Sequence, residues 1–121
     1  MSERALTLDL PGADLPGAGD PVITDIVAGA LSSIDADLPG ASDQAAAALG
    51  IQAGAEQVLL ILVDGLGYEL IQEYAGHTPT LRRLRGAMRS IHTVVPSTTA
   101  AAITAFGTGA RPGATNMVGF S

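Results

Sequence analysis

Val58-Leu59-Leu60-Ile61-Leu62-Val63-Asp64-Gly65 decides how this chain is read. Six apolar residues in a row leave no polar face, and the run is short. It predicts a parallel strand covered on both sides. Asp64-Gly65-Leu66-Gly67 breaks the run, Tyr68 to Tyr74 has a helical pattern, and Thr78-Pro79 offers a cap and first position for a helix over Leu81 to Met88. A second strand is expected over Ser90 to Val95, stopped by Pro96. A small-residue helix follows over Thr98 to Phe106, closed by Gly107-Thr108-Gly109. Strand, helix, strand, helix with right-handed crossovers predicts the α/β class, a partial three-layer α/β/α arrangement around a parallel sheet. Both strands then end at one edge, where open α/β sheets hold ligands. Asp64 and Thr99, each just beyond a strand end, are expected to be neighbours there.

Upstream, Ile23, Ile26, Val27, Ala30, Leu31 and Ile34 fall on one helical stripe, with Asp20 placed to cap it and Pro21 at its first position. A second short helix is expected from Ser42 to Leu49, ending at Gly50 in the left-handed conformation. Asp-Leu-Pro-Gly-Ala occurs at Asp9–Ala13, Asp14–Ala18 and Asp37–Ala41. Its unequal spacing excludes a solenoid repeat, and its Pro-Gly pairs mark loops. The chain thus divides into a helical leader with Pro/Gly loops over 1–50 and an α/β part over 51–121.

At 121 residues and 47% hydrophobic composition the chain fits one small domain. With two Phe, two Tyr and no Trp, its core must come from Ala, Val, Leu and Ile, which predicts marginal stability. No cysteine is present, which removes disulfides, thiolate metal sites and cysteine nucleophiles. Residues 1–56 carry nine acidic groups against Arg4, a net −8, and residues 57–121 carry three against five Arg, a net +2. An acidic chain without lysine argues against binding a nucleic-acid polymer, while the second half suits a small anionic substrate. The N-terminus lacks a signal-peptide apolar stretch and Val58 to Val63 is too short to span a bilayer, so a cytoplasmic protein with no membrane partner is expected.

A carboxylate directly after a buried strand needs a cation, hydrogen bonds or water to offset its desolvation. Asp64 is therefore a candidate metal ligand, although position alone equally allows it to cap a helix or hold the glycine turn. Thr99 lies where strand becomes helix, at free N–H groups and a positive dipole that favour anions. Its hydroxyl suits a phosphate site, and an ordinary cap serves that position too.

The residues further along favour the chemical reading. Val58 to Gly67, Thr78-Pro79-Thr80-Leu81, Val95-Pro96-Ser97-Thr98-Thr99, and Gly107-Thr108-Gly109-Ala110-Arg111-Pro112-Gly113 together resemble the ordered motif series of the nucleotide pyrophosphatase/phosphodiesterase branch of the alkaline phosphatase superfamily. The likeness covers about residues 57–121, its order and spacing being more specific than any single motif. It implies a truncated alkaline-phosphatase-like core and hydrolysis of phosphodiester or nucleotide pyrophosphate bonds in a small phosphorylated substrate. It also implies two divalent metal ions, zinc by family habit. Carried onto this sequence, it makes Asp64 a metal ligand and Thr99 both nucleophile and metal ligand, acting through a phosphothreonine intermediate.

The sequence departs from that pattern in three places. Relatives often have an asparagine three residues after the nucleophile, where this chain has Ala102. A His-Gly pair common after the Pro-Gly turn is Thr115-Asn116 here. Family members continue past the position of Ser121, with their remaining aspartate and histidine ligands in that part. The resemblance therefore implies an N-terminal fragment with an incomplete two-ion site and little or no activity alone. His77 and His92 fall in no ligand motif and are expected to be structural or surface residues. The competing class is a non-catalytic interaction domain on an incomplete fold. A dinucleotide-binding loop at Gly65-Leu66-Gly67 is disfavoured, since Leu70 holds the place of its third glycine and Asp64 would repel a pyrophosphate. A sulfatase would need a cysteine, and a phosphomutase typically a serine nucleophile.

Overall fold

The computed structural model describes residues 16–17 and 19–119. The repeat at Asp9–Ala13 lies outside the described residues, as does most of the one at Asp14–Ala18. Among the described residues six helices follow one another: α1 Asp25–Ile34, α2 Asp43–Leu49, α3 Tyr68–Glu73, α4 Pro79–Arg83, α5 Thr99–Thr108 and α6 Pro112–Thr115, with a 3-10 turn over Arg85–Ala87 after α4.

α2, α3 and α5 start and stop close to where local chemistry places them, whereas the helix expected to run to Met88 ends as α4 at Arg83 and passes into the 3-10 turn. Ser42 caps α2 by accepting the Ala45 N–H at 3.2 Å, and Gly50 ends it in the left-handed region at φ 69°. Pro79 occupies the first turn of α4, and Gly109 closes α5 at φ 66°. The loop between α1 and α2 contains the third repeat, where Gly40 has φ 85°. α6 was not foreseen, although Arg111-Pro112 carries the mark of a helix start.

The expected parallel sheet is not formed. Among the described residues the only β pairing is a single parallel bridge between Val22 and His92. Its hydrogen bonds run from the Ile23 N–H to the His92 carbonyl at 2.9 Å and from the His92 N–H to the Pro21 carbonyl at 3.0 Å. Val58 to Val63 is in no ladder and every one of its side chains is exposed. The partial three-layer α/β/α core is therefore overturned. A strand is stabilised by partners on its edges and cover on its faces, and the described residues supply neither to this run. Of the second expected strand, Ser90 to Val95, only His92 pairs. The same bridge corrects the start of α1. Backbone groups of Pro21 and Ile23 are committed to His92, so the helix begins at Asp25 after Thr24, and Asp20 and Pro21 do not open it. After Val22 the chain turns at Ile23-Thr24, with Thr24 at φ −67°, ψ −19° and the Asp25 N–H donating to the Val22 carbonyl at 2.9 Å, and so enters the helix.

Two small apolar clusters hold the molecule together. α1 packs mainly on α2 through Ala30, Ala45 and Ala46, all buried. Gly29 makes the approach close: a methyl group there would lie 3.1 Å from the Ala46 nitrogen. Ser32 Oγ donates to Asp43 Oδ1 across the same pair, and buried Ser33 Oγ donates to the Ala30 carbonyl at 2.7 Å. The second cluster joins Val94 to Ala101 and Ala105 of α5, with Ile23 and Ala102 against it. Alanine dominates both clusters, while Leu59 and Ile61 remain 82% and 76% exposed.

Candidate active site

α5 begins with two adjacent threonines that have different tasks. Thr98 is the cap: its Oγ1 accepts the Ala101 N–H at 3.3 Å and donates to the Val118 carbonyl at 3.0 Å. Thr99 is the first residue of the helix. Among the described residues its hydroxyl takes part in no hydrogen bond. The backbone N–H groups of Thr99 and Ala100 likewise find no acceptor there, as the geometry of a helix start dictates. The ordinary-cap reading of the turn thus belongs to Thr98, and Thr99 presents a free hydroxyl beside two free N–H donors.

Asp64 follows the apolar run in a turn whose next residue, Gly65, has φ 71°. That left-handed value is accessible to glycine without the cost a side chain brings. Asp64 caps no helix, since α3 starts after Gly67. Asp64 and Thr99 line one cleft of about 200 Å³, with apolar walls from Ile23, Leu62, Ala102 and Ile103. Asp64 is the only ionisable side chain on its lining. The two residues line this cleft together without the sheet expected to join them; Ile23, which also lines it, packs against the cluster of Val94, Ala101 and Ala105.

Ala102 follows Thr99 by one helical turn and so lies on the same face; it lines the cleft. The place where relatives often carry asparagine therefore opens onto the cleft here, with a methyl group and no donor. Ile23 is the lining residue that sequence reading missed, having been assigned to the stripe of α1. Its β-branched neighbours after a proline were the available signal. His77 and His92 stand away from this cleft. His77 lies near Tyr74, their ring centres 6.4 Å apart, and His92 Nε2 is 3.8 Å from Asp20 Oδ2.

For a metal ion, Asp64 and Thr99 offer one carboxylate and one hydroxyl. Among the described residues no group of three or more His, Cys, Asp or Glu side chains could hold an ion. Zinc takes four donors in structural sites and three protein donors in catalytic ones. The donor set present does not fit a bound zinc pair, so the two-ion site is not assembled by these residues.

No helix among the described residues is long and apolar enough to cross a membrane. Neither a curated protein nor a solved structure matches the chain. The model of the family described as type I phosphodiesterase / nucleotide pyrophosphatase matches residues 58–121, which include the apolar run, Asp64, the capped turn at Thr98 and the whole of α5. On that match over more than half of its length, the chain belongs to the type I phosphodiesterase/nucleotide pyrophosphatase family.

Proposed function

We propose that this chain carries part of a metal-dependent site for hydrolysing phosphodiester or nucleotide pyrophosphate bonds in small phosphorylated substrates, with Thr99 as nucleophile and Asp64 as a metal ligand. The observation that carries the reading is the shared cleft of Asp64 and Thr99, within the region matched by the family. The free N–H groups of Thr99 and Ala100 suit the phosphoryl oxygens, since a helix start attracts anions by both dipole and unsatisfied donors.

In this reading Thr99 Oγ1 gives up its proton to solvent and forms a bond to phosphorus while the bond to the leaving ester oxygen breaks, and that oxygen takes up a proton from water. The resulting phosphothreonine is then cleaved by water, which returns the hydroxyl. A neutral threonine is a weak nucleophile, and a metal ion held in part by Asp64 would activate it. With the ion-binding donors incomplete among the described residues, the 121-residue chain is proposed to have little or no turnover by itself. The test is incubation with a phosphoryl-transfer probe followed by peptide mapping. Covalent label on Thr99, lost in Thr99→Ala and kept in Thr98→Ser, supports the assignment. Label on Thr98 refutes it.

A further inference from the structure

We propose that Ile23 is a positioning residue for Thr99: from the leader it holds both flanks of the turn between His92 and α5. Its effect on phosphoryl transfer rests on the hydrolase reading, while the hold itself does not. Upstream of the turn, the Ile23 N–H donates to the His92 carbonyl at 2.9 Å, beside the return bond from the His92 N–H to the Pro21 carbonyl. From Thr93 to Ser97 no further backbone hydrogen bond is made among the described residues, and of Thr93 to Thr99 only Val94 is buried. The bond from Ile23 to His92 is therefore the last backbone tie before the Thr98 cap. Downstream, the Ile23 side chain packs on the cluster that Val94 forms with Ala101 and Ala105 of α5, and it lines the cleft beside Thr99.

Ile23 is itself held firmly. The Asp25 N–H donates to the Val22 carbonyl and the Val22 N–H donates to Asp25 Oδ2, both at 2.9 Å, closing a turn around it. The Thr24 carbonyl lies 3.6 Å from where a methyl group on Gly109 would stand, so the same short segment also abuts the far end of α5. The other apolar side chains of the cluster are Val94, Ala101, Ala102 and Ala105, which makes Ile23 the largest. Truncating it leaves a space that α5 fills only by moving, or does not fill. A misplacement of about 1 Å costs about a hundredfold in a positioned reaction, and Thr99 is the first residue of that helix.

The full chain is treated with an alkyl fluorophosphonate, whose P–F bond breaks as Thr99 Oγ1 bonds to phosphorus, fluoride leaving and the hydroxyl proton going to solvent. Amide hydrogen exchange is followed in parallel. Ile23→Ala is expected to slow labelling of Thr99 about tenfold or more per folded molecule, while Ile23→Val, which keeps the branched side chain, stays close to the parent. Protection should fall at the Ala101 and Ala102 amides, which bond to Thr98, and persist at Ala46 and Ile51 in and after α2. Gly29→Val, which disturbs the contact of α1 with α2, serves as the control for lost stability alone: it should lower the folded fraction and leave the labelling rate per folded molecule unchanged. Parent-like labelling in Ile23→Ala overturns the proposal, and so does an equal loss of protection in α2 and α5. Absence of label on Thr99 in every chain refutes the hydrolase reading instead, and the exchange pattern then decides by itself whether Ile23 holds the turn.

Discussion

The hydroxyl of Thr98 is bonded on both sides, accepting from Ala101 and donating to Val118, while that of its neighbour Thr99, which makes no hydrogen bond among the described residues, lines a cleft shared with Asp64. On the proposed function this division separates stability from chemistry at one turn. Thr98→Ala is expected to cost about 1 kcal/mol of stability, the usual loss for a missing cap. Thr99→Ala should stay within about 0.5 kcal/mol of the parent, as substitutions away from such features do. Urea unfolding followed by circular dichroism checks both. A larger loss at Thr99 would give that residue a structural role.

Gly29 and Gly107 are both helical glycines, yet they should respond oppositely to alanine. At Gly29 the new methyl meets the backbone of Ala45 and Ala46 at 3.1–3.2 Å, and backbone cannot swing aside. Helix propensity recovers about 1 kcal/mol, against an overpacking cost of about 1–3 kcal/mol, so Gly29→Ala should lower the melting temperature and Gly29→Val should lower it further. At Gly107 nothing lies within 4 Å, and Gly107→Ala should raise it, by about 0.5 kcal/mol or more in stability. Paired thermal melts decide the signs.

Gly50 ends α2 at φ 69°, and a side chain there would run into the Arg89 guanidinium. Gly50→Ala combines left-handed backbone strain, about 1 kcal/mol or more, with displacement of a flexible arginine. Gly50→Asn should be milder, since asparagine tolerates that conformation better. Chemical denaturation of the two variants gives the order.

The donors around Asp64 bear on activity. With no third ligand among the described residues, the 121-residue chain supplied with zinc should show little or no release of chromophore from a chromogenic bis-aryl phosphodiester. Any zinc binding that calorimetry detects should weaken in Asp64→Asn. Turnover that survives in both Asp64→Asn and Thr99→Ala would dissociate the activity from this cleft.

Much of this was legible from local chemistry. Ser42 and Gly50 bounded α2, Pro79 opened α4, and Gly109 closed α5, because capping depends on residues a few positions apart along one chain. The motif series from Val58 to Gly113 likewise sufficed to point to the family, since ordered short patterns need no coordinates. The sheet was misread for a physical reason: an apolar run is compatible with a covered strand, but pairing is a property of two segments, and His92 bridges Val22 while Val58–Val63 pairs with nothing described.

The sequence by itself determined both ends of α2, the start of α4 and the close of α5, the alanine-rich character of the core and the family motifs, all set by neighbouring residues. Tertiary structure alone decided that Thr98 rather than Thr99 is the cap, that Ile23 enters the cleft, and that the most apolar segment is left outside the core. Each depends on which distant groups meet, and hydrogen bonds and close packing act only between groups that the fold has already brought together.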